Sequence, residues 1–556
     1  MSSLAHDVRF ALRRLLKARG FTITVVLMLG FGVGSSTTIF SLIEGILLRP
    51  LPYRDPARLV QLGEHVGQQP GIGATARDFA QYAQSSSAFS SMGGYGTTDF
   101  ELNGSATPEN VSGARLTASV FPTLGVEPAL GRVFSKQEDE GHTPVVVIGY
   151  GLWTRRYHRD PHVLGSPIEL NRKQYTIIGV MPRGFEFPLQ VGRLYEAQLW
   201  VPMSLTPAQL ADDEAGDWGF QMVARLKDGV TVSEAAQDAG RVAQQIMRAF
   251  PANMASIHIR GDVMPLGETV TGATKPMLRM LFAAVMVVLL IACANVTILM
   301  LVRALRRHRD AAVRLALGAR SAAIVRETLL EGALLSLCGG LLGLALAASI
   351  LRVVLAILPD SIPRLDSVAI DPVVALFALS AALLTGVLSS LAPSFVALRT
   401  NLMASLKGNA RTGTGASNHT RIRSALVIAE IAVALPMLTA SGALLRSYQK
   451  MLTIDPGFRP EHALVAGYEL PATQYPTNTA VATFNREVVN RLENKPGVVA
   501  VAIGNTVPSS GFSGMTGYTA EGQSVEGWKL QFAGFGAVYG DYFRVLGIPI
   551  LEGRVF

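Results

Sequence analysis

Cysteine is nearly absent from this chain: Cys293 and Cys338 are the two in 556 residues. Both fall inside apolar runs, where a thiol behaves as a small hydrophobe, and neither forms a metal-type pair. The polar stretch Arg49 to Pro276 has no cysteine, so a location outside the cytoplasm would need no disulfide framework. Charge is also scarce. Only 16% of residues are charged, 49% are hydrophobic, and mean hydropathy is +0.32, a balance that points to a chain partly dissolved in lipid. The net charge of +8 does not indicate nucleic acid, because the basic residues cluster beside apolar runs instead of covering a soluble face.

Several chemistries lack their residues. No G-x-x-x-x-G-K-[ST] phosphate loop occurs, so the chain cannot be its own ATPase by that route. Gly408 to Ser417, "GNARTGTGAS", is glycine-rich but has no lysine and reads as a flexible linker. The stretch Gly511-Phe512-Ser513-Gly514 does not supply the G-x-S-x-G spacing of a nucleophile elbow. His158 and His162 have helical spacing, yet Asp160-Pro161 between them would break the turn that a zinc pair needs. Glu138, Asp139 and Glu140 read as a solvated loop, and Trp153, Tyr157, Trp200 and Trp218 as core or interface aromatics. No catalytic, cofactor or metal residue is expected.

What the chain has is length and long apolar runs. A length prior gives roughly three or four units. The first run, Phe21 to Leu48, would make a helix of about 42 Å against a hydrocarbon core of about 30 Å. It is too long for a signal peptide, and no small-residue cleavage site follows it. Four more runs exceed the roughly 20 residues a crossing helix needs: 277–302, 329–358, 372–398 and 425–445. Basic residues crowd before the first (Arg9, Arg13, Arg14, Lys17, Arg19), between the second and third (Arg303 to Arg320), and between the fourth and fifth (Arg399, Lys407, Arg411, Arg421, Arg423). If all five runs cross, those loops share one side, the cytoplasm by the positive-inside rule. The spans carry few ionisable residues, Glu44 and Glu430 near or within lipid, and so no chain of buried charges that would mark an ion path. Of the two, Glu44 suits the outer interface, and Glu430 either an interhelical contact or a helix end.

The expected plan is a multi-pass α-helical membrane protein with mixed α+β extracytoplasmic domains. A basic cytoplasmic segment (1–20) precedes the first span, a large outer domain (49–276) follows it, and cytoplasmic segments fill 303–328 and 399–424. A second outer domain occupies 446–556. In the first outer domain, "TPVVVIGYGLWTRRY" reads as a strand entering a helix, and "SPIELNRKQYTIIGVMP" as a hairpin about Asn171-Arg172-Lys173. "TVSEAAQDAGRVAQQIMRAF" reads as a helix capped by Ser233.

One phrase occurs twice. Val120 to Phe134 is "VFPTLGVEPALGRVF", and Tyr542 to Phe556 is "YFRVLGIPILEGRVF". In each half an apolar span leads through a basic, proline-containing exit, "LLRPLPYRDPARLV" or "MLTIDPGFRPEHALV", toward this phrase. The shared order of features implies a tandem duplication whose second copy is incomplete.

Between the second and third spans, Ala312, Leu315, Ala316 and Ala319 recur at helical spacing beside the polar Arg309, Asp310, Arg314 and Arg320. An amphipathic helix parallel to the membrane and joined to two spans is a lever that can be pushed from the cytoplasm; Gly318 ends the helix or admits a close partner. A basic loop that only sets topology fits the periodicity equally well. The stretch Asp310-Ala-Ala-Val-Arg314-Leu-Ala-Leu317-Gly318-Ala319-Arg320 resembles the cytoplasmic coupling segment of MacB-like and FtsX-like ABC transporter permeases, with aspartate where glutamate is usual. The N-terminal segment and the "DPGFRPEHAL" exit resemble the acidobacterial duplicated orphan permeases. The resemblance implies a MacB-type periplasmic core at 49–276 and ATPase-coupling roles for Asp310, Arg314, Leu317, Gly318, Ala319 and Arg320. It also implies an inner-membrane location with a cytoplasmic N-terminus, and a separate cytoplasmic ABC ATPase that uses the ATP. The chain itself would bind no cofactor and no nucleic acid. Further implied partners are the lipid bilayer, a homodimer mate or intrachain pseudo-dimer, and a periplasmic adaptor. Export is the leading output; FtsX-like mechanical regulation of an envelope enzyme and a scaffold without an ATPase are the alternatives.

Overall fold

The computed structural model describes residues 2–66, 69–103, 109–188, 197–211, 219–249, 258–272, 274–306, 313, 321–357, 368–398, 414–459, 461–468, 470, 474–508, 514–518 and 531–555. Its helices in chain order are α1 (Ser2–Lys17), α2 (Arg19–Ile43), α3 (Ala76–Ser85), α4 (Val120–Leu124), α5 (Lys136–Glu140), α6 (Tyr150–Tyr157) and α7 (Val232–Ala249). They continue as α8 (Leu266–Thr271), α9 (Lys275–Arg306), α10 (Ser321–Ile357), α11 (Pro372–Leu398), α12 (Thr414–Thr453), α13 (Asn478–Glu493) and α14 (Tyr542–Val545). Among the described residues, five stretches are long and apolar enough to cross a membrane: Arg19–Leu48, Lys275–Arg306, Ala322–Ile357, Pro372–Leu391 and Val427–Thr453. α9, α10 and α12 outrun their apolar runs, because hydropathy marks the lipid-immersed part while backbone hydrogen bonding continues beyond it, whereas α11 coincides with its run. In particular α12 begins at Thr414, so the flexible-linker reading does not extend past residue 413.

The segment between α2 and α9 is built on an eleven-stranded mixed sheet. Its strands are β1 (Leu59–Val66), β2 (Gln69–Ile72), β3 (Phe89–Leu102), β4 (Glu109–Leu116), β5 (Leu130–Gly131) and β6 (Val145–Ile148). β7 (Pro167–Leu170), β8 (Lys173–Val180), β9 (Leu199–Pro202), β10 (Gln221–Leu226) and β11 (Ile259–Pro265) complete it. The main path runs β11-β1-β10-β3-β4-β9-β6-β8-β5, with β2 on β1 and β7 on β3 and β8. The β4–β9 and β6–β8 pairs are parallel, the rest antiparallel. Every residue of β6, "VVVI", is buried, as expected of a strand covered on both faces.

The β7–β8 hairpin turns on Asn171 and Arg172, with φ of 50° and 63°, the left-handed pair of a two-residue turn; Lys173 already pairs with Leu170 in the ladder. α7 presents Ala235, Ala239, Val242, Ala243 and Ile246 to the sheet, one stripe of an amphipathic helix. Ser233 lies inside α7 and is not its cap. Thr231 Oγ1 accepts from the Glu234 amide at 3.3 Å, and Glu234 accepts from the Thr231 amide at 2.8 Å, a reciprocal capping box. The acidic triplet is not a solvated loop either. It sits in α5, and buried Asp139 accepts from the Ala118 and Ser204 amides at 2.9 and 2.8 Å.

The repeated phrases adopt matching local geometry. The Arg54 amide donates to Leu124 O at 3.2 Å, and the Arg459 amide to Leu546 O at 2.7 Å. A left-handed glycine closes each short helix, Gly125 at φ 68° directly after α4 and Gly547 at φ 62° one residue beyond Leu546 at the end of α14. In both, the next residue reaches back to the helix, Val126 to Phe121 O and Ile548 to Phe543 O. β12 (Ala502–Gly504) pairs with β15 (Val538–Gly540), and β13 (Gly514–Tyr518) with β14 (Gln531–Phe535), as two separate small sheets.

Candidate functional site

Asp310, Arg314, Leu317, Gly318, Ala319 and Arg320, the residues expected to couple to an ATPase, lie outside the described residues, as do Arg309, Ala312, Leu315, Ala316, Ser513 and Trp218. What the structure places is their frame. α9 ends at Arg306 and α10 begins at Ser321, and both flanks meet in one cluster of charged groups. Arg14 of α1 pairs with Glu327 of α10 and lies 3.7 Å from Glu331; Arg303 of α9 lies 3.7 Å from the other Glu331 oxygen. The Arg303 guanidinium covers the Phe21 ring at 4.2 Å, and Arg14 covers Phe10 at 4.9 Å. Glu331 and Arg303 are 8% and 11% exposed, so breaking the pair from one side leaves a desolvated charge, at a cost of about 3–5 kcal/mol. Three helices, α1, α9 and α10, are thereby tied together near the end of α9 and the start of α10. Glu331 also corrects the count of acids in the spans, which named Glu44 and Glu430 alone.

From this cluster α2 runs toward the sheet domain through contacts that only small residues permit. A Cβ on Gly34 would lie 3.1 Å from Gly343 O, and one on Gly343 would lie 3.1 Å from the Gly34 nitrogen and from Val33 Cβ. Glycines four apart on each helix, Gly30 with Gly34 and Gly339 with Gly343, bring α2 and α10 backbone to backbone. Sequence reasoning passed over this small-x-x-x-small spacing, which is written in the chain and could have been found there. At its far end α2 widens into a π turn, Glu44–Leu48, in which Glu44 is buried.

Three residues later the chain is already inside the domain. Leu51 and Tyr53 join a buried cluster with Tyr95, Phe121, Phe134, Phe187 and Trp200. Tyr53 OH donates to Glu186 O at 2.5 Å, and Trp200 Nε1 to Phe187 O at 2.7 Å. Leu266 of α8 belongs to the same cluster, and α9 starts nine residues on. Both connections between domain and bundle are therefore short and packed. Beside them, a cavity of about 370 Å3 opens between α2, α9 and α10, lined by Ile39, Leu42, Ile46, Leu278, Leu281 and Val354 among others.

α12 is attached by a polar contact within its apolar stretch. Asn295 Nδ2 of α9 donates to Glu430 Oε1 at 2.5 Å, the interhelical alternative for Glu430. Cys293 lies 3.4 Å from Ser389 Oγ on α11, and Cys338 is exposed. His158 takes a left-handed conformation past the end of α6, and Asp160 accepts from the His162 amide. Trp153 donates from Nε1 to Asp160 O. Among the described residues no group of three or more His, Cys, Asp or Glu is placed to hold a metal.

Comparison with known proteins finds two family models along the chain. Residues 22–242 fit the model of the MacB-like periplasmic core domain, and residues 282–402 that of the FtsX-like permease C-terminal domain. The chain thus joins a MacB-like periplasmic core domain to an FtsX-like permease domain. The FtsX-like match contains Arg303, residues 307–320, Glu327 and Glu331; neither match is an ATPase domain. Among curated relatives, the macrolide export ATP-binding/permease protein MacB of Escherichia coli K12 is 24% identical over 284 residues, 51% of this chain and 41% of that protein. MacB 1 of Yersinia pestis is 26% identical over 245 residues, 43% of this chain and 35% of that protein. The chain thus spans about two fifths of the length of these relatives. The crystal structure of the periplasmic region of MacB from Actinobacillus actinomycetemcomitans aligns at 12% identity and a TM-score of 0.30, covering 43% of this chain and 97% of that one.

Proposed function

We propose that this chain is the membrane subunit of an ABC-type transporter in which a separate ATPase pushes on the segment between α9 and α10. The motion passes to the MacB-like core and serves export. The observation that carries the reading is the continuous path of α2. Its first turn is joined to the charged cluster by Phe21, whose ring lies under Arg303 of α9, and by Thr22, which donates to Leu15 O of α1, the helix whose Arg14 reaches Glu327 and Glu331; the other end leads into the buried cluster of the core. By this reading a displacement at the base passes along α2 to Leu51 and Tyr53 in the buried cluster of the core. In this reading the ATPase contacts Asp310, Arg314, Leu317, Gly318, Ala319 and Arg320 on the cytoplasmic side of the inner membrane, and the MacB-like core is periplasmic. Export follows the names of the relatives, which are macrolide exporters.

The matched turns at Gly125 and Gly547, each against an arginine from its own span exit, support reading α12 as the start of a second, related unit, as in duplicated permeases. The deciding experiment is affinity capture of the tagged chain from its own membranes, comparing the parent with an Arg314→Asp, Leu317→Asp variant. A Walker-motif ATPase that follows the parent and not the variant supports the coupling role. An unchanged yield overturns it and leaves a scaffold. Loss of the gene separates the outputs: sensitivity to an exported compound marks export, whereas normal tolerance with a wall or division defect marks regulation.

A further inference from the structure

α1 is more than a basic leader. Around its axis Ala11 and Leu15 are buried, Leu15 in a cluster with Val25, Leu29, Val296, Met300 and Leu335. Arg14 on the same side reaches the acids of α10. The next strip is exposed and apolar, Leu12 at 47% and Leu16 at 64%. Beside it run Arg9, Arg13 and Lys17, all exposed and spaced four apart, so that they stack on one face of a helix. From Val8 to Arg19 this helix carries no acid. Its depth is fixed as well. A single residue, Ala18, separates α1 from the membrane helix α2, and Thr22 Oγ1 closes the corner by donating to Leu15 O at 2.8 Å. α1 therefore lies where the first span enters the bilayer. Its leucine strip sits at acyl-chain level and its cation strip at the level of the phosphates.

We infer that the Arg9, Arg13 and Lys17 face of α1 is a binding site for anionic phospholipid headgroups, with Leu12 and Leu16 seated among the acyl chains of the same lipids. Charge complementarity favours an acidic headgroup over a zwitterionic one, and the fixed back of the helix makes the site preformed. Through Arg14, occupancy of the site reaches the charged cluster at the base of the lever segment. The inference stands whether or not an ATPase binds that segment.

The test uses the full chain with Leu16→Trp in phosphatidylcholine nanodiscs containing one fifth brominated phosphatidylglycerol or one fifth brominated phosphatidylcholine. The quenching of the parent, whose four tryptophans all lie outside the candidate spans, is subtracted. The expected result is at least twofold stronger quenching of position 16 by the brominated phosphatidylglycerol. Adding Arg9→Gln, Arg13→Gln and Lys17→Gln should equalise the two lipids while quenching by the zwitterionic lipid persists. Equal quenching in the Leu16→Trp protein overturns the site, as does a preference that survives the triple neutralisation. Absence of quenching by either lipid also overturns it, because the face would then be covered by protein.

Discussion

The MacB-like core and the helical bundle beside it exclude their surroundings by opposite means. The core fills space with large rings: Trp200, Tyr95, Phe121, Phe134 and Phe187 are all essentially buried, and Phe185 packs edge-on against Trp200 at 5.0 Å. The bundle removes side chains instead, so that Gly34 and Gly343 let two backbones touch. Water explains the first arrangement, because burying apolar area is favourable there. In lipid that driving force between helices is missing, and close packing with a few hydrogen bonds takes over. A substitution should therefore change sign of effect with the region it enters.

The largest effect is expected from removing bulk in the core. Trp200→Ala should cost about 3–5 kcal/mol and orphan the Phe187 carbonyl, lowering the unfolding transition of the core in the intact chain. Adding bulk in the bundle comes next. Gly343→Ala places a methyl 3.1 Å from backbone and side-chain atoms of α2, an overpacking worth about 1–3 kcal/mol. The same change at Gly240 of α7, where nothing lies within 4 Å of the new methyl, should stabilise the core by about 0.5–1 kcal/mol. Thermal unfolding of both variants in nanodiscs checks the comparison, and a shared sign would break it.

Sequence reading and structure part along the same line. Apolar runs and alternating strands are local signals, so the spans, the β7–β8 hairpin and α7 are legible from a few neighbouring residues each. The charged cluster is not, because Arg14, Arg303, Glu327 and Glu331 meet only after three helices have packed. Glu331 is hidden further by sitting inside an apolar run, where a single acid barely lowers the average. Asp139 was misread for a related reason. Three adjacent acids look solvated until the fold brings the amides of Ala118 and Ser204 to the middle one. The turn shared by Gly125 and Gly547 was visible as a repeated phrase, but its arginine contact appears only in three dimensions.

Polar contacts extend the comparison at smaller magnitude. Asn295→Leu removes the donor to Glu430 and should loosen α12 from α9 by about 1 kcal/mol, the usual size of a hydrogen bond between membrane helices. A spin-label distance between those two helices would broaden in the variant and stay narrow in the parent.

The smallest effect concerns the repeated Gly-Arg-Val-Phe phrase. Arg132 forms a two-point pair with Glu138 at 2.8 and 2.7 Å. That pair, helped by the Ser135 amide and hydroxyl, holds the Glu138 carboxyl down at about 2. A carboxylate whose folded value is depressed adds stability above its unfolded value, and the contribution drains away as pH falls toward the folded value. For Glu138 the window runs from about pH 4.5 down to about 2. Because Arg132 is 57% exposed, solvent screens the pair and its worth is about 1 kcal/mol or less. Glu138→Gln should flatten the core's stability profile across that window and change little at pH 7 beyond this amount. A parent profile that matches the variant throughout the acid range would mean that the arginine of the phrase serves its turn by packing and not by charge.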